Sequence, residues 1–550
     1  MIQQELKDLL QQAIAALRQE KILARDPELS TIHLERPARP EHGDFSTNLA
    51  LVLAGQYGIR PQQLAGRIAE YLPNSNLVSR VETAGAGFIN FFLSHTWLHQ
   101  SLAEIVSQKD DYGRSDSGRG LRIQVEYGSA NPTGPIHVGN ARNIAYGEVL
   151  SNLLEHVGFS VGRENYLNDA GAQMRRFALS LEAAYMNALG HAASVPEDGY
   201  HGEYLIEMGK QLAGEEGMGL VNNTDEIQEW GLQRMLESHR QTVERFGVHY
   251  DHWMSERSLH ESGRVEAAIE KLRIAGHTYE KDGALWFRST EFGHTQDRVL
   301  VRSEGRGPGY LAADTAYLLE KIERGFDRLV YLWGADHHGY TESLMAVAKA
   351  LGVDDRIEMI LYQFVNFTRG GVPAKMSKRS GEMVSLDELL DEVGVDAARF
   401  TFLTRSIDST MEFDFDLVKA ETQENPVYYV QYAHARISSI LRYGNEQGIE
   451  LGSIQDAALQ LLTHNTEHTL MRKLTEFPEM LQTAAKMRAP HRLTTYSREL
   501  AELFHAFYRD CRVITDDLTL TQARLWLSEA TRQVLANTLS LLGVSAPERM

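Results

Sequence analysis

Between Leu121 and about Ser385 the chain alternates short apolar runs with longer amphipathic stretches. RIQVEY (122–127) alternates in the way of a strand, and DRLVYLWGA (327–335) and MILYQFV (359–365) are short apolar runs of strand length. The segments between them have helical spacing. Strands buried on both faces and joined by helices form a parallel sheet, because parallel neighbours need a connection long enough to run back along the sheet. The expected fold class is α/β, with a Rossmann-type parallel-sheet domain at its centre.

The flanks have a different texture, and 550 residues exceed what one core holds. Residues 1–108 mix helical patterns with a strand-like run, GFINFFLS (87–94), and read as an α+β N-terminal domain. KDDYGRSDSGRG (109–120) is a polar, Gly-rich linker. The central domain is expected over 118–385, with an acidic, mostly helical insertion over about 185–290. From 386 to 550 nearly everything reads as amphipathic helix, which predicts an all-α bundle.

Composition narrows the partners. The single cysteine, Cys511, excludes a disulfide framework and a cysteine-based zinc site. No apolar run approaches the roughly 20 residues of a membrane span, and the charged amphipathic N-terminus is no signal peptide, so a cytoplasmic protein is expected. The net charge of -20 argues against a nucleic-acid partner, but it is unevenly spread. Residues 181–260 hold 14 Asp/Glu against 5 Lys/Arg, whereas residues 421–550 hold 15 against 13. A binding face can survive in that near-neutral C-terminal part, since local field steers a polyanion.

Two junctions carry chemistry. SANPTGPIHVGNARN (129–143) joins the first strand to a helix through two prolines, two glycines and a histidine. A helix N-terminus at the carboxyl edge of a parallel sheet favours an anion. There His137 can donate to a phosphate oxygen, and Gly139 clears space for a flat base. AKMSKRSG (374–381) presents Lys375 and Lys378 beside Arg379, cations suited to charge building on a triphosphate under attack. Alone, each junction has a bland reading, as a structural turn or a solvated basic loop.

HVGN followed by KMSKR resembles the paired His-Ile-Gly-His and Lys-Met-Ser-Lys-Ser signatures of class I aminoacyl-tRNA synthetases. The chain is similar to arginyl-tRNA synthetases in particular, through HGDFSTNLA (42–50), VEYGSANPTGPIHVGN (125–140), GYLAADTAY (309–317), WGADHHGY (333–340), NPVYYVQYAHARI (425–437) and the terminal PERM. The resemblance implies ATP-dependent ligation of L-arginine to tRNA(Arg) through arginyl-adenylate, with Mg²⁺ on the ATP, no zinc and a monomeric enzyme. It implies that His137, Gly139 and Asn140 bind ATP, with Lys375, Met376, Ser377 and Lys378 as the closing loop. His137, Lys375 and Lys378 are the expected catalytic groups; Met383 and Val384 are expected in the core. Asn140 stands where the family usually has histidine. Its amide still donates but can never carry a charge, so the second phosphate contact is expected to be weakened or re-routed.

A guanidinium is best held by carboxylates. By the resemblance, Tyr310, Asp314 and His338 contact the arginine side chain, Ser129 and Asn131 its amino and carboxylate ends, and Glu126 adds a carboxylate. Standing alone, Asp314 reads as a helix N-cap, and Asp336, His337 and His338 as a metal cluster without the spacing a metal site needs. Such a pocket should reject lysine and citrulline by leaving groups unpaired, so no editing domain is expected. For tRNA, the resemblance implies Phe88 and Asn90 at the elbow, with Tyr428, Tyr432, Arg436 and Met550 near the anticodon. Two other classes remain at this point: a non-catalytic RNA-binding relative, and a ligase for cysteine or glutamine.

Overall fold

The computed structural model describes residues 2–23, 32–37, 39–303, 308–374 and 384–550. They group into two compact units, Met1–Lys109 with Ile440–Thr475 and Leu503–Gln533, and Asp110–Ser439 with Glu476–Glu502 and Val534–Met550. The region expected as one C-terminal bundle therefore contributes helices to both.

In the first unit a three-stranded antiparallel sheet runs in the order Phe45–Thr47, Phe88–Leu93, Val78–Ala84. The helix Ile2–Gln19 buries Leu6, Leu10, Ala13 and Leu17, the 3–4 spacing of one apolar stripe. The helix His95–Gln108 faces Asn465–Thr475, where His95 Nδ1 and His468 Nε2 share a hydrogen bond of 2.9 Å. Arg472 donates to Asp44 at 2.7 Å in the same unit.

The second unit is built on five parallel strands, β1 (Arg122–Glu126), β2 (Ser160–Leu167), β3 (His252–Ser255), β4 (Arg328–Gly334) and β5 (Ile357–Tyr362), in the order β5-β4-β1-β2-β3. Consecutive residues of β1 and β4 are buried, from Ile123 to Glu126 and from Leu329 to Leu332, as strands covered on both faces require. Helix α1 (Ala141–His156) leads from β1 towards β2, α2 (Tyr310–Glu323) precedes β4, and α3 (His338–Leu351) joins β4 to β5. Because the connections leave β1 towards one side and β4 lies on the other, the carboxyl ends of these two strands bound a crevice. Ligands of open α/β sheets bind in such crevices.

Two stretches differ from the sequence reading. The acidic residues 185–290 are not one helical insertion. The helices Ala172–Ala188, Glu203–Glu216 and Thr224–Arg245 form a satellite core around Phe177, Leu181, Leu212 and Ile227, but the chain then returns as β3 of the main sheet. Further on, Thr278–Lys281, Ala284–Phe287 and Arg298–Val301 make an antiparallel sheet. Residues 386–550 are not wholly helical either, since Met411–Asp414 pairs in parallel with Val365–Arg369. Met411–Asp414 does alternate, MEFD, but four residues between helical stretches are a brief signal.

Candidate active site

A cavity of about 780 Å³ opens at the carboxyl ends of β1, β2, β4 and β5. The loop after β1 enters it through Gly128, whose φ of +75° favours glycine and where a Cβ would meet the Tyr250 hydroxyl at 2.1 Å. Its N–H donates to Asn143 Oδ1 at 3.0 Å, and Asn143 Nδ2 donates to the Leu332 carbonyl at 3.1 Å. One amide on α1 thus ties the loop to the end of β4. Beneath it Arg142, fully buried, donates to the carbonyls of Gln363, Ser406 and Ser409. Outside, Tyr204 donates to the Thr133 carbonyl and His239 to that of Gly134, each at 2.7 Å.

Held this way, the loop presents Ser129, Asn131, His137 and Asn140 to the cavity. His137 Nδ1 accepts the Gly139 N–H at 2.9 Å, so the ring proton sits on Nε2. Nε2 is buried with no partner among the described residues, and burial lowers the pKa of the ring. A neutral imidazole with a committed N–H results. Gly139 does not line the cavity. A Cβ there would come within 2.8 Å of His137 Nδ1, so this glycine leaves room for the histidine ring. Asn140 Nδ2 reaches the Ser129 carbonyl only at 3.4 Å, a weak engagement that leaves its amide suited to a second acceptor. Asn168 Nδ2 donates to Asn131 Oδ1 at 3.0 Å, turning the NH₂ of Asn131 outward as a donor.

Val138 N donates to the Val384 carbonyl at 3.1 Å and Leu386 N to the Ile136 carbonyl at 2.7 Å. The His137 segment is therefore stitched to the residues just past the second signature. Lys375, Met376, Ser377, Lys378 and Met383 lie outside the described residues. Before them, Ala374 N donates to the Phe367 carbonyl at 2.8 Å.

The opposite side of the cavity is acidic. Asp314 lies in the second turn of α2, whose N-cap is Gly309, so it caps nothing; it accepts from the Tyr340 hydroxyl. Burial, and then the charge of Glu126, raise its pKa to about 7, against the pull of Tyr340 and Lys321. Glu256, the first residue of a short helix after β3, faces the same cavity. Burial first, then Asp314 and Asp169, bring it also to about 7. The sequence reading missed Glu256. Its only signal was an acidic residue after Ser255, which is what any helix start shows. Glu126 ends β1 on the cavity floor and accepts from the fully buried Lys321.

Other expected residues divide. Tyr310, 70% exposed, stands at the rim. His338 is exposed and opens α3 without lining the cavity, whereas His337 lines it. Phe88 is half-buried, but Asn90 is 3% exposed and accepts from Ser46 Oγ at 2.7 Å, so its side chain braces the sheet. On the helix Pro426–Glu446, Tyr428 and Tyr432 stack at 6.0 Å and 8°. Arg436 lies 4.5 Å over Tyr432 and donates to its hydroxyl at 2.6 Å. These three form a ladder of flat groups on one stripe, and Met550 is 55% exposed. No helix of the described residues is long and apolar enough to cross a membrane.

A crevice at the switch point of this strand order, entered by a Pro/Gly loop ending in HVGN, defines the catalytic domain of a class I aminoacyl-tRNA synthetase. Family comparison agrees. Residues 101–414 match the class I (R) tRNA synthetase catalytic domain, 4–93 the arginyl-tRNA synthetase N-terminal domain and 430–550 the DALR anticodon-binding domain. The chain is 48% identical over 530 residues to the arginine–tRNA ligase of Moorella thermoacetica, covering 95% of this chain and 94% of that one. To the arginine–tRNA ligase of Caldanaerobacter subterraneus it is 45% identical over 555 residues, covering 100% and 98%. The arginyl-tRNA synthetase of Thermus thermophilus shares the fold, with a TM-score of 0.76 at 22% identity over the whole of both chains. The chain belongs to the arginyl-tRNA synthetase family.

Proposed function

We propose that this chain joins L-arginine to tRNA(Arg) in two steps at the switch-point cavity. An oxygen of the arginine carboxylate attacks the α-phosphorus of ATP; the new O–P bond forms as the bond to the β-phosphate breaks, and diphosphate leaves. A hydroxyl of the terminal tRNA ribose then attacks the carbonyl carbon, and AMP departs. Neither step needs a protein nucleophile, so the protein contributes position and charge. The observation that carries the reading is the pairing, on one cavity, of the carboxyls of half-buried Asp314 and buried Glu256 with a His137 N–H that has no partner among the described residues.

Asp314 and Glu256 take the guanidinium, with Tyr310 and His337 at its edge. Asn131 and Ser129 hold the amino and carboxylate ends, with Glu126 below. His137 Nε2–H and the Asn140 amide donate to phosphate oxygens. Lys375 and Lys378 close over the triphosphate, Lys378 stabilising the charge that develops at the α-phosphorus. Mg²⁺ enters this scheme with the ATP substrate, on the triphosphate oxygens. The Tyr428, Tyr432 and Arg436 ladder receives splayed anticodon bases. The test is arginine-dependent diphosphate release with and without tRNA. Lys378→Ala should slow it at least about a hundredfold with tRNA binding little changed, and an unchanged rate removes the loop from the mechanism.

A further inference from the structure

The floor of the cavity contains a buried charge that the two-step scheme does not use. Glu126 on β1 is in register with Glu164 on β2 and with Tyr331 on β4, so the three side chains form one row across the sheet. Two carboxylates in adjacent register repel, and both are buried. Lys321, from the last turn of α2, descends onto this row. Its Nζ lies 3.9 Å from the Tyr317 ring centroid and 3.7 Å from that of Tyr331, and it donates to Glu126 Oε2. Cation–π contact from two rings stabilises the ammonium where water cannot.

The two glutamates are not equally supported. Glu164 also accepts from the Tyr317 hydroxyl at 2.5 Å and from Arg324 at 2.7 Å. For Glu126, the partner found among the described residues is Lys321. Lys321 is 0% exposed and does not line the cavity, so it meets ligand only through Glu126.

We propose that Lys321 is a positioning residue of the amino-acid site, holding the Glu126 side chain aimed into the cavity through the hydrogen bond and ion pair it makes with Oε2. This rests on the arginine-binding reading given above. The ionisable and charged groups that face Lys321 and Glu126 are Tyr317, Asp314 and Arg324 from α2, Glu164 and Tyr166 from β2, and Tyr331 from β4. With Lys321 gone, the carboxylate row loses its shared cation, and Glu126 lacks the second support that Tyr317 and Arg324 give Glu164.

The test is Lys321→Met, which keeps the volume and removes the charge. At pH 7 the KM for arginine should rise by about 10- to 100-fold with the KM for ATP within about twofold. A residue that only supports the fold would lower the melting temperature and depress kcat at every pH, without this split. The second arm compares Glu126→Gln with Lys321→Met/Glu126→Gln, a pair that carries no lone buried carboxylate even if the single Lys321 variant does not fold. Equal arginine KM in these two supports the inference. A further loss on removing Lys321 overturns it, as does a Lys321→Met enzyme whose arginine KM matches the parent. Failure of the underlying site reading would show differently, as an arginine KM insensitive to Asp314→Asn.

Discussion

Glu256 and Asp314 face one cavity, and after burial itself it is the charge of Asp314 that lifts the Glu256 carboxyl to about 7. Asp314 sits at about 7 as well. Near neutrality each is partly protonated, whereas a guanidinium needs both as carboxylates. Binding arginine must expel those protons. The kcat/KM for arginine is therefore expected to climb between pH 6 and 8, steepest near 7, while the KM for ATP stays nearly flat. Calorimetric titration with arginine at pH 7 in two buffers of different ionisation enthalpy should detect proton release. No release would mean that neither carboxyl meets the guanidinium.

The same displacement fixes a stability effect. A carboxyl whose folded pKa of about 7 lies above its ordinary value of 3.8 binds more protons folded than unfolded. Its favourable contribution is whole below about pH 4 and is lost as pH rises through 7. Asp314→Asn, which can still accept from Tyr340, carries no such penalty. Its melting temperature should fall less than the parent's between pH 5 and 8, and at pH 8 the variant should be the more stable protein. Its arginine KM should rise by at least about 100-fold, the scale of losing a charge-assisted bidentate contact. A melting curve whose pH dependence is unchanged would show that Asp314 is not held protonated.

His137 is expected to act as a neutral donor. Its Nδ1 is occupied by the Gly139 N–H, and burial holds the ring below its usual pKa. Protonation near neutrality should not contribute, so His137→Asn and parent should give parallel pH profiles between 6 and 8. The rate of adenylate formation should fall about 100-fold, as removing one preorganised donor does. Asparagine can accept the Gly139 N–H in place of Nδ1, so the melting temperature should hardly move. A profile that steepens below pH 7 only in the parent would instead identify the imidazolium as the active form.

What the sequence displayed and what it hid follow from the physics of each element. β4 was legible because a strand buried on both faces is largely apolar, β1 because RIQVEY alternates as a strand does, and the loop between β1 and α1 because backbone approaching a ligand needs glycine. β3 was hidden, since His252–Ser255 is short and its residues HWMS show no period. Glu256 was hidden with it, as its role comes from where β3 ends. His338 and His337 are neighbours that α3 sends in different directions, and only coordinates choose between them. Asn90 matched a signature, yet whether an amide faces RNA or a neighbouring Ser46 is decided across strands by a residue 44 positions away. Lys321 looked like any basic residue near a helix C-terminus.

The ladder on the helix Pro426–Glu446 gives a prediction about tRNA alone. Tyr428, Tyr432 and Arg436 are spaced four residues apart, so a straight helix stacks them along one face. Rings already parallel, with a guanidinium plane continuing them, offer successive surfaces to unstacked bases at little ordering cost. Tyr432 is central, since it contacts both neighbours. Tyr432→Ala should raise the KM for tRNA by about 10-fold, near the low end of the 1–3 kcal/mol that one stacked base contributes. The KM values for arginine and ATP should not move at saturating tRNA. Tyr432→Phe keeps the ring but loses the hydroxyl that accepts from Arg436, and it should retain most of the affinity if stacking carries the contact. Equal losses for Phe and Ala would shift the role to the hydroxyl and Arg436, and no loss for either would take this stripe out of the tRNA interface.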